Sequence, residues 1–511
     1  MDYRFNNFYE IILHHVKKYK KKTALFIDDE KITYGEILEK VDKLAGFLTQ
    51  KGIKEGDRVA LFLRNSPEFI YTIFAVSKIG AISVPINTFL KETELDYILQ
   101  DSGAKMLVAS QIHEKVVNAG NASSLCENIL WEGKAPKKGF ISFQEAWNVE
   151  TGAEHRARSL DHCAVIIYTS GTTGKPKGAM LSNKNILSNI EFSKKLIQVK
   201  PKDRLIVFLP MFHSFTFTVG VVMPLYVGGS MVIIKSLQPF SNIFKQTLTK
   251  RVTLFFGIPD IYNALAKAKL PWYFLWFNNI RAFISGAAAL QPKTLDAMSK
   301  KFKRAKLLEG YGLSEASPVV CVNTLKKQKA GSVGTAMYDY EIKIVDKDMN
   351  ELSRGDIGDI IVKGDHIMMG YFNRPEATEE AIVNGWLLTG DMGYMDDEGF
   401  LFIVDRKKDL IISKGINIYP REIEEVVDSF DGVKASAVIG ISDEKSGEIP
   451  VVYIEPEEGI ESFDESELKR YMREHLANYK IPKHIYTLEE LPKNATGKVL
   501  KRILKERLKN A

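Results

Sequence analysis

Between Ile167 and Met180 the chain reads Ile-Tyr-Thr-Ser-Gly-Thr-Thr-Gly-Lys-Pro-Lys-Gly-Ala-Met. Gly171, Gly174 and Gly178 permit positive φ and close backbone approach, so amide N–H groups can point into one concavity. Thr169, Ser170, Thr172 and Thr173 add hydroxyl donors, and Lys175 and Lys177 add charge. Many donors with little side-chain bulk suit a polyphosphate. The P-loop pattern G-x-x-x-x-G-K-[ST] is not met. Lys175 follows G-x-x-G, Pro176 stands where a hydroxyl belongs, and Ala179-Met180-Leu181 reads as extended before a helix capped near Ser182.

Further candidates follow in order along the chain. Tyr311-Gly312-Leu313-Ser314-Glu315 comes after a strand-like run and ends in a carboxylate able to hold Mg²⁺. Thr389-Gly390-Asp391 reads as a tight turn whose carboxylate suits paired ribose hydroxyls, with Arg406 just beyond. Pro492-Lys493-Asn494-Ala495-Thr496-Gly497-Lys498 sets a lysine on a turn that can be aimed inward. Each has a plain alternative, since Asp after Gly is a common turn former and a lysine near a basic tail is usually solvated. Together and in this order they point to nucleotide chemistry.

These residues need a scaffold. Apolar runs at Arg58–Leu63, Ile82–Ile86 and Lys105–Ser110 alternate with helical patterns opened by Asn65-Ser66-Pro67 and spanning about 92–101. The alternation returns at 204–209, 230–235, 252–257, 281–285 and 305–309, which predicts two wound α/β subdomains in the first 330 residues. From about Gly331, short β-rich pieces with glycine punctuation predict a small barrel-like subdomain. The charged cluster 405–409 then reads as a hinge, dividing residues 1–404 from a small, mobile α+β domain over 410–511.

The 511 residues are 45% apolar and 26% charged, as in ordinary soluble multidomain proteins. The net charge of +6 is too mild for a nucleic-acid partner. Cys126, Cys163 and Cys321 have neither an even count nor metal-ligand spacing, and the N-terminal stretch lacks a signal peptide's apolar core. These features predict a cytoplasmic protein. Residues 205–234 lack Asp, Glu, Lys and Arg, but Pro210, His213, Pro224, Gly228 and Gly229 interrupt them, so they read as strand, loop, buried helix and strand rather than a membrane span.

The chain resembles the superfamily of adenylate-forming enzymes, which includes acyl-CoA synthetases, adenylation domains of peptide synthetases and firefly luciferases. The likeness covers nearly its whole length. It rests on TSGTTGKPKG at 169–178, YGLSE at 311–315, GDIGDIIVKGDHIMMGYFNRPEAT at 355–378, TGD at 389–391, DRKKDLIISKGINIYPREIE at 405–424 and PKNATGK at 492–498. The resemblance implies a two-step reaction: a carboxylate attacks the α-phosphate of ATP to give an acyl-adenylate and pyrophosphate, and a thiol then displaces AMP. On this likeness Lys498 bridges carboxylate and α-phosphate, the 170–178 loop holds the outer phosphates, Glu315 holds Mg²⁺, and Asp391 with Arg406 fixes the ribose. Gly286, Ala287, Ala288, Tyr311, Gly312 and Ser314 match nucleotide and acyl-pocket segments, and His213 matches a gate beside the carboxylate. Lys408 falls on the family's hinge, and a turn about it would bring Lys414 to face the site. Ser314 replaces a more usual threonine, Ala289 a proline and Asp359 a glutamate.

The uncharged 205–234 region, with Phe212, Phe215 and Phe217, and the small residues at 287–289 favour an apolar acid; LPMFHSF also looks like bacterial fatty-acid ligases. The expectation is a medium- or long-chain fatty acid and CoA. The aromatic run 270–277 is either packed core or a patch that touches the inner face of a membrane. Alternatives are an acyl carrier protein as acceptor, an aromatic acid, a luciferase-like oxygenase, or a nucleotide-binding regulator without turnover.

Overall fold

The computed structural model describes residues 3–134, 139–149, 153–156, 159–169, 175–235, 240–286, 288, 290–336, 340–443, 445–460, 464–494 and 497–509. Arg58–Phe62 pairs in parallel with Ile82–Pro85 and Met106–Ser110, and Pro67–Lys78 and Glu92–Ser102 are the crossover helices. Val59 and Leu61 belong to one core and Ala60 and Phe62 to another, so this strand is apolar on both faces, as a covered parallel sheet requires. Side-chain caps fix where helices begin. Ser66 Oγ accepts from Phe69 N at 3.3 Å with Pro67 in the first helical turn. Ser182 and Asn185 exchange a reciprocal pair of bonds at 3.0 and 2.7 Å, starting helix Asn183–Leu196 where the sequence places its cap.

Two large sheets result, of eight and nine strands. They are interleaved rather than consecutive. Thr23–Ile27, near the N-terminus, pairs with Ser230–Ile233 in the second sheet, while Gly370–Tyr371 returns to the first by pairing with Lys177–Ser182. One apolar core joins both sheets, with Leu61 from the first and Leu205 and Val207 from the second. The uncharged stretch resolves into strand Arg204–Val207, a π-helix at Thr216–Val222 running into helix Met223–Tyr226, and strand Ser230–Ile233. Among the described residues no helix is long and apolar enough to cross a membrane.

The β-rich part is a five-stranded antiparallel sheet in which Trp386–Met395 pairs with Gly358–Lys363, Ile382–Val383 and Leu401–Arg406. A short turn at Lys407–Asp409 then leads into a separate sheet built on the hairpin Val433–Asp443 and Gly447–Pro456, packed with helices Pro420–Ser429 and Glu465–His475. This C-terminal unit is docked on the large one. Lys267 Nζ lies 2.5 Å from Glu457, Gln291 donates to Asp428 at 2.9 Å, and Lys493 Nζ lies 3.7 Å from Asp260.

Candidate active site

Strands Cys163–Thr169 and Lys306–Gly312 end side by side and deliver the first two groups. Thr169 Oγ1 donates to Glu315 Oε1 at 3.3 Å, and the Tyr371 hydroxyl donates to the same oxygen at 3.0 Å. Lys177, the register partner of Thr169, holds its ammonium 5.2 Å from the Tyr371 ring, and Lys175 lies 5.3 Å from the Tyr97 ring. Ser170, Gly171, Thr172, Thr173, Gly174 and Ala287 lie outside the described residues.

Gly312 is required by its neighbours: a Cβ there would stand 1.9 Å from the Pro318 carbonyl oxygen. The strand can turn into Ser314–Ala316 only because that atom is missing. Ser314 Oγ lies 3.0 Å from Ser214 Oγ, which ties the YGLSE segment to the PMFHSF loop. Gly286 has more room, its nearest prospective neighbour being the Phe215 ring at 3.7 Å, and Ala288 is exposed. His213 receives a long contact from Phe215 N at 3.4 Å on Nδ1, and burial pushes its imidazole down to about 4. Its ring is therefore neutral near pH 7 and suited to packing against a ligand rather than donating a proton.

Asp391 does not sit on a tight turn, as the TGD spacing suggests. Thr389–Asp391 form a bulge within strand Trp386–Met395, where the register against the neighbouring strand shifts between Asp359 and Ile361 and Gly390 takes φ +73°. The bulge turns the Asp391 carboxylate toward the end of the second sheet. There it accepts from the Tyr311 hydroxyl at 2.6 Å, and Arg406 Nε lies 3.4 Å away. Burial, reinforced by Asp391, holds the Tyr311 phenol well above its ordinary value, so it remains a donor.

Lys498 reaches this cluster from the C-terminal unit. Asn494 Oδ1 accepts from Lys498 N at 2.9 Å, and Gly497 at φ +77° presses so close to the large unit that a Cβ would lie 2.9 Å from Ile258 Cδ1. Burial, with Arg406 and Lys408 nearby and Asp391 and Asp409 opposing them, pushes the Lys498 ammonium down to about 7. Lys414 is elsewhere: it is exposed, at φ +51°, on the turn joining Ile411–Ser413 to Ile416–Ile418.

Two contributors escaped the sequence reading. Tyr371 lies within the quoted segment 355–378, and Ser214 directly follows His213, but neither spacing reveals a partner so far away in the chain. Among the described residues no group of three or more Asp, Glu, His or Cys forms a metal cage. A lone carboxylate flanked by hydroxyls still fits Mg²⁺, which commonly binds through one or two carboxylates and substrate phosphates.

A carboxylate–phenol–guanidinium cluster where the antiparallel sheet meets the second large sheet, with a buried lysine brought to it by the C-terminal unit, fits an adenylate-forming enzyme. The AMP-binding enzyme model matches residues 12–372, and the AMP-binding enzyme C-terminal domain matches 422–498. The chain belongs to that family and is an AMP-forming enzyme of its acyl-CoA synthetase branch. It is 36% identical to a long-chain-fatty-acid–CoA ligase of Bacillus subtilis over 96% of this chain and 92% of the relative. It is 34% identical to a feruloyl-CoA synthase of Amycolatopsis over 92% of each. The anthranilate CoA ligase AuaEII in complex with anthranoyl-AMP superposes with a TM-score of 0.92 at 26% identity, covering 99% of this chain and 98% of that one.

Proposed function

We propose that this CoA ligase activates a medium- or long-chain fatty acid, using ATP and Mg²⁺, and passes the acyl group to CoA. One observation carries the choice of acid. The wall behind Phe215 is made by Val207, Leu209, Thr216, Val219, Gly220 and Phe256, with no charged group to pair a second carboxylate. The void it encloses is only about 10 Å³, so on this reading Phe215 and the π-helix must move aside to admit a hydrocarbon chain. π-helical turns are uncommon and recur at functional sites. Similarity alone does not choose the acid, because aliphatic and aromatic ligases stand at nearly equal identity.

The residues divide the work as follows. Asp391, oriented by Tyr311 and Arg406, receives the ribose hydroxyls. Glu315, held by Thr169 and Tyr371, would carry Mg²⁺, which when bound neutralises phosphate charge. Lys498 offsets the repulsion between the carboxylate and the α-phosphate, the largest obstacle when both partners are anions. The 405–409 segment, with Lys408, is the hinge about which residues 410–511 swing, withdrawing Lys498 and bringing Lys414 inward for thioester formation.

Two measurements test this. Over a series of straight-chain acids, kcat/KM for CoA-dependent AMP release is expected to rise by about fourfold per methylene until the pocket fills. Preference for ferulate or benzoate over every alkanoate contradicts the assignment. Substituting a phosphopantetheinylated carrier protein for CoA distinguishes the acceptor. Secondly, Lys498 in the free enzyme is charged below about 7 and neutral above it. The kcat/KM for ATP is therefore expected to fall as pH rises through that value. A profile flat to pH 9 contradicts the role of Lys498.

A further inference from the structure

Helix Trp272–Phe277 turns one ring inward and four outward. Phe274 is 2% exposed and packs 5.1 Å from Phe244 between ring centroids, whereas Trp272, Tyr273, Trp276 and Phe277 are 69, 49, 71 and 65% exposed. Soluble surfaces seldom leave so many adjacent large rings in water without a partner. Cations flank them on both sides in the chain, Lys269 before the helix and Lys303 and Arg304 on the segment packed against it. Lys269 and Lys303 are exposed beside the helix, and Arg304 donates to the Leu275 carbonyl at 2.9 Å.

Charge and area select the occupant. Four rings of ~200 Å² each, about two-thirds exposed, present on the order of 500 Å², short of the ~800 Å² per partner of a standard protein interface. A second copy would also set one basic rim against another. An anionic bilayer matches both features, because Trp and Tyr settle at headgroup level and Lys and Arg are attracted to the leaflet's charge. We propose that helix Trp272–Phe277 docks the enzyme on an anionic membrane by seating its four exposed rings among the headgroups. The element is firmly anchored: Phe274 meets Phe302, and Phe302 meets Phe283, on the strand next to the one bearing Phe256 of the acyl wall. Its purpose, loading an acid that partitions into bilayers, rests on the fatty-acid reading above; the docking does not.

Cosedimentation of the full chain with phosphatidylcholine vesicles, with or without about a third phosphatidylglycerol, tests this. Wild type is expected to bind the anionic vesicles and to be weakened by 0.5 M salt. The Trp272→Ser, Trp276→Ser, Phe277→Ser combination should lower the partition coefficient by roughly tenfold or more, while turnover of a freely soluble short acid stays at the wild-type level. Lys269→Glu with Lys303→Glu should also release the protein, without touching the rings. Wild type that ignores anionic vesicles, a triple variant that still binds them, or a lipid-free dimer that the triple variant dissolves would each overturn the proposal. Wild type that binds vesicles yet turns over no fatty acid would keep the docking and refute the choice of substrate.

Discussion

Replacing Lys498 with alanine is expected to slow acyl-adenylate formation by on the order of 10²–10³, as for removal of a preorganised charge in a water-poor site. The expectation follows from where the ammonium sits. It is the group the C-terminal unit delivers to the Asp391–Tyr311–Arg406 cluster, and burial together with Arg406 and Lys408 opposes its charge until an anion arrives. A bound triphosphate relieves that opposition, so the interaction is strongest when the attacking carboxylate is also present. Thioester formation from supplied acyl-adenylate and CoA should stay within a few-fold of wild type, because the proposed swing withdraws Lys498 in that step. Folding should not suffer, since the substitution removes a buried cation set among like charges. Equal loss of the two half-reactions would contradict the swinging-domain account.

The second large effect is structural. Gly312→Ala is expected to destabilise the large unit by on the order of 3 kcal/mol or more, through overpacking against rigid backbone. The added methyl would meet the Pro318 carbonyl oxygen at 1.9 Å, and that oxygen already accepts from Leu313 N at 3.0 Å. Displacing it would move Glu315 as well. Gly286→Ala is the matched control: its Cβ finds the Phe215 ring at an ordinary 3.7 Å, so stability should change little. Urea denaturation of both variants checks the pair, and equal midpoints would remove the steric argument.

Local chemistry made much of this fold readable. Apolar runs bounded by turn residues located the strands at 58–62, 82–85, 254–257 and 282–285, and Ser66-Pro67 and Ser182 located helix starts, because strands and caps are short-range features. What could not be read depends on partners distant in sequence. The pairing of Thr23–Ile27 with Ser230–Ile233 spans some two hundred residues, and no local pattern specifies it. The π-helix at Thr216–Val222 has the composition of any buried helix, and only packing sets its wider turn. The sequence marks Asp391 as a candidate but does not reveal the bulge it lies in, because Gly390 serves a tight turn and a bulge equally well. The aromatic run at 270–277 admitted core or surface, and the structure divides it: Phe274 is inside and four other rings are outside.

The central claim is that one site joins a carboxylic acid to AMP before any thiol takes part. The most direct test is a single-turnover experiment without CoA, in which excess enzyme meets ATP, Mg²⁺ and dodecanoate and the quenched mixture is read by mass spectrometry. The account predicts stoichiometric pyrophosphate and enzyme-bound dodecanoyl-AMP, with AMP and dodecanoyl-CoA appearing only after CoA is added. ADP and phosphate in place of AMP and pyrophosphate, or pyrophosphate release indifferent to the acid, would contradict it.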